Sequence, residues 1–220
     1  MAQFKPGVIA VDIAFPDNTS PEQDNAFVAS LKKVEAQGVP LVLGQIFDSR
    51  LDPAVRVGTP GFQAGSESIC GSGLYRESPG YLGFFQSKVP AQTHFGHLGS
   101  EPSPLGWVRG VPAWVCSSGQ AVPSFVLQTL RSLSDGQLTQ EFKPGTLGLT
   151  EGYAVELKDQ GISIPVNRAG NMVVPYTKSR SDLISISAKD LMAGALVDTS
   201  LPISPGSVVV LGSTAFGLVD

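Results

Sequence analysis

A chain of 220 residues fits a single domain, because one core can organise up to about 250 residues. Apolar residues make up 42% of it, which excludes a disordered tail, while charged residues reach only 15%, so that Ser, Thr, Gln, Gly and Pro must dress the surface, a pattern that leans towards an extracytoplasmic setting. The net charge of −4, with 15 Lys and Arg scattered singly, leaves no basic stripe to displace counterions, so neither nucleic acid nor an anionic lipid surface is expected as a partner.

The first unit reads strand–helix–strand. Residues 7–13 form a short apolar run of the kind found in a fully buried strand. Ser20 is placed to cap a helix that has Pro21 at its first position and Gln23 completing a capping box. Phe27, Val28, Leu31 and Val34 give that helix one apolar face, and Gly38 can end it in the left-handed conformation. Residues 39–47 predict the next strand, which a right-handed crossover makes parallel to the first. From Asp48 to about Gly80 periodicity fades into Gly, Ser and Pro, and weak order with short strands is expected.

Strands are predicted again at 82–85, 93–98 and 107–115, with Pro112 marking an edge or a bulge in the last. Residues 124–133 read as an amphipathic helix offering Phe125, Leu127 and Leu130 to the core, and 136–150 read as a loop. Short strands at 153–157, 162–166 and 172–176 are separated by the turns 158–161 and 167–170. A capped helix spans 187–192, stopped by Gly194, and 207–212 looks like a central parallel strand. The sum is an α/β domain with a mixed, largely parallel central sheet and packed helices.

No apolar stretch reaches the ~18 residues of a membrane span, and no signal-peptide pattern opens the chain. The protein is therefore either cytosolic or has its targeting and anchoring segments outside this sequence. Cys70 and Cys116 are too few for a zinc site without histidine help. In an oxidising compartment they would pair and close a long loop; otherwise they are two separate buried thiols, and spacing does not choose between these readings.

Five segments, in order, resemble the second class of CHASE domains, the extracellular sensory domains of bacterial cyclases and histidine kinases. Gly7 to Phe15 followed by Asp24 resembles that family's opening. Phe95-Gly96-His97-Leu98 and Gly106-Trp107-Val108-Arg109 are similar to its Gly-His … Asp-Gly-x-x-Arg segment, with Leu105 where the family has Asp. Ile164 to Met172 looks like its Ile-Pro-x-Asp-x-x-Gly turn, with Asn167 in place of Asp. Ile186 to Gly194 matches its Ile-Ser-x-x-Asp-x-x-x-Gly helix, and Val208 to Asp220 resembles its close. The resemblance implies a sensory domain over residues 4–220, extracytoplasmic, shortened by a first strand and helix. It also implies flanking transmembrane helices and a cytoplasmic output module such as a cyclase or kinase, and the sequence breaking off at Asp220 is expected of such a piece.

Candidate site residues follow from position. Asp12 lies near the carboxyl end of a buried strand, where open α/β sheets place ligands; it is either a polar anchor for a ligand or a carboxylate capping a loop. Asp24 in a first helical turn needs only the helix dipole to explain it. Ser213 and Thr214, after Gly212, could hold an anion on backbone N–H groups or form a structural turn. If Asp12 and Thr214 end adjacent parallel strands, they share one crevice. His97 reads as a structural histidine or a ligand contact, and His94 falls on the opposite face of its strand, so the two do not suit one metal. Arg109 reads as the partner of a buried carboxylate or of an anionic ligand.

No nucleophile elbow, triad or activated thiol is found, so neither catalysis nor a cofactor or metal is expected. The reading is a receptor module for an unknown small molecule. The alternatives are a structural module that forms a homodimer, and a soluble hydrolase using Asp12, His97 or the Gly212–Thr214 loop.

Overall fold

The computed structural model describes residues 5–47, 51–63, 67–85, 89–91, 93–102, 107–134, 140–147, 150–157, 161–193 and 203–213. In the first half of the chain these form β1 (Val8–Ala14), α1 (Pro21–Glu35), β2 (Leu41–Gln45), β3 (Arg56–Val57), α2 (Glu67–Gly71), β4 (Tyr81–Leu82), β5 (Thr93–His97) and β6 (Glu101–Pro102). Next come β7 (Val108–Pro112), β8 (Trp114–Ser117), β9 (Gln120–Pro123), α3 (Phe125–Ser132), β10 (Gln140–Leu147) and β11 (Thr150–Leu157). Last are β12 (Ile162–Val166), β13 (Asn171–Val173), α4 (Ala188–Met192) and β14 (Val208–Gly212). None of the described helices is long and apolar enough to cross a membrane.

Four strands build a parallel sheet in the order β14-β1-β2-β5. Both faces of β1 are covered, which is why its sequence is nearly continuous in apolar residues. Val8 and Ala10 pack with Val42, Phe125 and Leu133 on the α3 side. Ile9 and Val11 pack with Leu31, Leu41, Leu43 and Phe84 on the α1 side. The alternation of a strand thus assigns successive residues to two separate cores.

Local chemistry sets the helices. The Ser20 hydroxyl accepts the Gln23 N–H at 3.3 Å, and Pro21 opens α1 where its missing N–H costs nothing. Asp24 does more than meet the dipole: it is buried and accepts from the Thr19 N–H at 3.1 Å and hydroxyl at 2.8 Å, tying the incoming chain to the helix. Past the end of α1, Gly38 takes φ +72° and gives its N–H to Glu35, closing the turn into β2. In α3 the buried polar residues Thr129 and Ser132 give their hydroxyls to the carbonyls of Phe125 and Gln128, four residues back.

A second, six-stranded antiparallel sheet runs β10-β11-β12-β13-β7-β6, and β3-β4 and β8-β9 make two small ribbons. The fold is mixed α/β, with the parallel strand pairs in the first sheet and the β3-β4 ribbon. The single strand expected at 107–115 divides at Ala113 into β7 and β8, with Pro112 closing β7. The loop expected at 136–150 contains β10, which residues of β11 recruit by register pairing rather than by any period of their own. The short helix α2 and the strand β9 were not read from the sequence; β9 exists as the return half of a hairpin with β8. β14 is parallel as expected but lies at the sheet edge, not at its centre, because among the described residues only β1 pairs with it.

Cys70 of α2 and Cys116 of β8 form a disulfide with Cα atoms 5.7 Å apart, across 46 positions of sequence. Closing a loop of that length restricts the unfolded chain and stabilises the fold by about 4 kcal/mol in the chain-entropy account. The bridge fastens α2 to a core that holds Trp114, Leu127, Val155 and Tyr75. Gly170, at φ +79°, lies so close to the Tyr75 ring that a Cβ there would come within 2.9 Å of it. The turn at Asn167 is shaped for that approach, its side-chain oxygen accepting the N–H groups of Ala169 and Asn171.

Candidate functional site

In a parallel sheet the strands' carboxyl ends share one edge, and a ligand crevice opens where neighbouring strands connect away in opposite directions. Here the chain leaves β1 for β2 and β5 on one side and returns to β14 on the other. The carboxyl ends of β1 and β14 therefore stand side by side at the outer edge of this sheet. Asp12 and Gly212 are register partners there. A Cβ added to Gly212 would stand 3.6 Å from the Asp12 Cβ and 3.9 Å from its Oδ2, so the carboxylate lies directly over the glycine. Ser213 follows, and Asp12, Gly212 and Ser213 are all exposed. Thr214 lies outside the described residues.

The other strand ends are closed. Gln45, at the end of β2, donates through Nε2 to the Gly61 carbonyl at 2.7 Å and accepts the Gly61 N–H at 3.0 Å, drawing the loop at 59–63 over the sheet. His97, its register neighbour on β5, is 1% exposed. It is bridged to Ser124 through the backbone. His97 is thus part of the packed end of the sheet, with β2 between it and Asp12. His94 lies on the exposed side of the same strand, where burial first and the Arg131 charge second lower its pKa. Arg109 belongs to β7 in the antiparallel sheet, is exposed, and makes no ion pair among the described residues. The structure therefore brings together Asp12 and Ser213 and leaves His97 and Arg109 apart from them.

Chemically, Asp12 offers carboxylate oxygens and Ser213 a hydroxyl beside an edge strand. This set suits a ligand presenting hydroxyl or ammonium donors. A phosphate would meet the negative charge of Asp12 at short range.

A second feature was not read from the sequence. Arg76 Nη1 pairs with Glu101 Oε1 at 2.7 Å, and the buried Asn171 donates through Nδ2 to Glu101 Oε2 at 2.6 Å. Arg76 and Glu101 border a cleft lined also by Phe47, Pro112 and Val115, with a volume of about 20 Å³. That holds about one water molecule. The arrangement ties the segment after α2 to β6 and β13, two strands of the antiparallel sheet. No local pattern marks it, because its members lie 25 and 70 positions apart.

Comparison with known proteins adds one positive finding. The family model described as the CHASE2 domain matches residues 1–220, the whole chain. No curated protein and no solved structure matches it.

Proposed function

The chain belongs to the CHASE2 domain family of receptor sensory domains, and from that membership we propose that it is the extracytoplasmic signal-input domain of a bacterial transmembrane receptor. In this reading it binds a small molecule and controls a cytoplasmic output module such as a nucleotide cyclase or a kinase through flanking transmembrane helices. The family match over the entire chain carries the proposal. The Cys70–Cys116 bridge supports the compartment, since such bonds persist where the surroundings are oxidising.

The ligand crevice is the open end of the parallel sheet, formed by Asp12 and Ser213 with Thr214 next in sequence. Asp12 is the anchor for a donor group on the ligand. A signal would leave along β14, whose end forms half of the crevice. His97 supports the neighbouring strand end by packing, and Arg109 takes no part.

A thermal-shift screen of the chain against small hydroxylated and amine-bearing metabolites tests this. A ligand that binds only the folded state raises the melting temperature as its concentration passes Kd. The expected result is at least one stabilising compound whose effect disappears in Asp12→Asn. Stabilisation that persists undiminished in Asp12→Asn would remove the crevice from the proposal, and a broad screen without any stabilising compound would remove the small ligand.

A further inference from the structure

The edges of the two large sheets differ in one respect. β6 ends in Pro102, which has no N–H to offer a further strand, and β10 contains Glu141, Lys143 and Pro144. β5 is packed by α3 and bridged at His97 by Ser124. These are the ordinary ways of blocking an edge. Among the described residues β14 has none of them. Its sequence Val-Val-Val-Leu-Gly carries no charge, no proline and no bulge. Val208, Val210 and Leu211 are 41%, 57% and 44% exposed.

The backbone shows which groups face out. Ile9 gives its N–H to the Pro40 carbonyl beside β2, so by alternation Val8, Ala10 and Asp12 serve β14. They meet the groups of Val209 and Leu211, with Ser207 accepting the Gly7 N–H at 2.9 Å, and the N–H and C=O groups of Val208, Val210 and Gly212 point away from the sheet. We propose that β14 is a homodimer seam, at which a second copy of this chain adds its own β14 edge to edge and antiparallel.

Two features select a second copy. A two-fold axis at Val210 sets Val210 against its own copy and Val208 against the partner's Gly212, both as hydrogen-bonded pairs that use every outward group. On such an axis a charge at position 210 would meet its like, and this strand carries no charge. The same axis directs the Asp12 end of one sheet towards the exposed Lys5 end of the other, an arrangement of opposite signs. The proposal stands whether or not the crevice binds a ligand, but the seam begins one residue from Ser213, so pairing and occupancy would act on the same strand.

Sedimentation velocity on the 220-residue chain across micromolar to submillimolar concentrations tests the seam. A reversible monomer–dimer equilibrium is expected, and Val210→Lys should weaken it about tenfold or more by setting like charges opposite each other. Val210 is exposed, so this variant should fold, and circular dichroism checks that it does. In Val210→Cys, mild oxidation should give a covalent dimer, because Cα atoms of a hydrogen-bonded pair stand about 5.5 Å apart and suit a disulfide. Val126→Cys, on the exposed face of α3, should not cross-link. A monomer at every concentration overturns the proposal. So does a dimer that Val210→Lys leaves unchanged, or cross-linking no better at Val210 than at Val126.

Discussion

His94 stands on β5 near Arg131 of α3, where partial burial and then the guanidinium charge hold its imidazole below the ordinary pKa of 6.5. A lowered histidine pKa means the unfolded chain takes up the proton first. The contribution to stability is then complete above about pH 6.5 and is lost as pH falls below it. His94 remains partly open to water, so the effect is modest. Urea unfolding midpoints should therefore fall less on mild acidification in His94→Gln than in the wild type, and equal losses would show that His94 contributes nothing. At this scale the sequence was informative where one residue's neighbourhood is local. Asp12 could be assigned to a strand end, and the opposite faces of His94 and His97 follow from their spacing. The partners of Glu101 could not be read, because Arg76 and Asn171 reach it only once the antiparallel sheet and the segment after α2 are in place. Arg109 was read towards a carboxylate or an anion from its apolar neighbours, but its side chain lies on the exposed side of β7.

The elements were legible in proportion to how much of their reason lies within them. Helix α1 carries its own start signal in Ser20, Pro21 and Gln23 and its own stop in Gly38. Helix α3 is similar: the Ser124 hydroxyl accepts the Leu127 N–H at 3.2 Å. Ser124 is fully buried, so water cannot replace it when it is removed. Ser124→Ala should cost about 1–2 kcal/mol, measured as a lower urea midpoint at unchanged slope. A loss under a few tenths of a kcal/mol would mean that the cap is not what holds the start of α3. The strands β9 and β10 owe their existence to partners, β8 and β11, and so gave no signal of their own. The run Val208–Gly212 shows the same limit from the other side. Its apolar composition correctly indicates a parallel strand, but composition does not count neighbours, and an edge strand that exposes Val210 and Leu211 reads like a buried one.

At the scale of the whole molecule, the parallel sheet sets the Asp12 carboxylate beside Gly212, the disulfide ties α2 to β8, and β14 is the outer strand of its sheet among the described residues. Two of the four strands in the parallel sheet, β2 and β5, end against packing, and the β1–β14 end combines exposure with a carboxylate. That combination, together with membership of a sensory family, is the basis for placing the signal there. The most direct test is a two-dimensional amide NMR titration with a compound that stabilises the chain. The account predicts chemical-shift changes concentrated at residues 10–14 and 208–213, with the Gly212 and Ser213 amides moving most and the changes lost in Asp12→Asn. Changes centred instead on the Arg76–Glu101 cleft or on the exposed face around Arg109, with residues 10–14 and 208–213 unmoved, would contradict it.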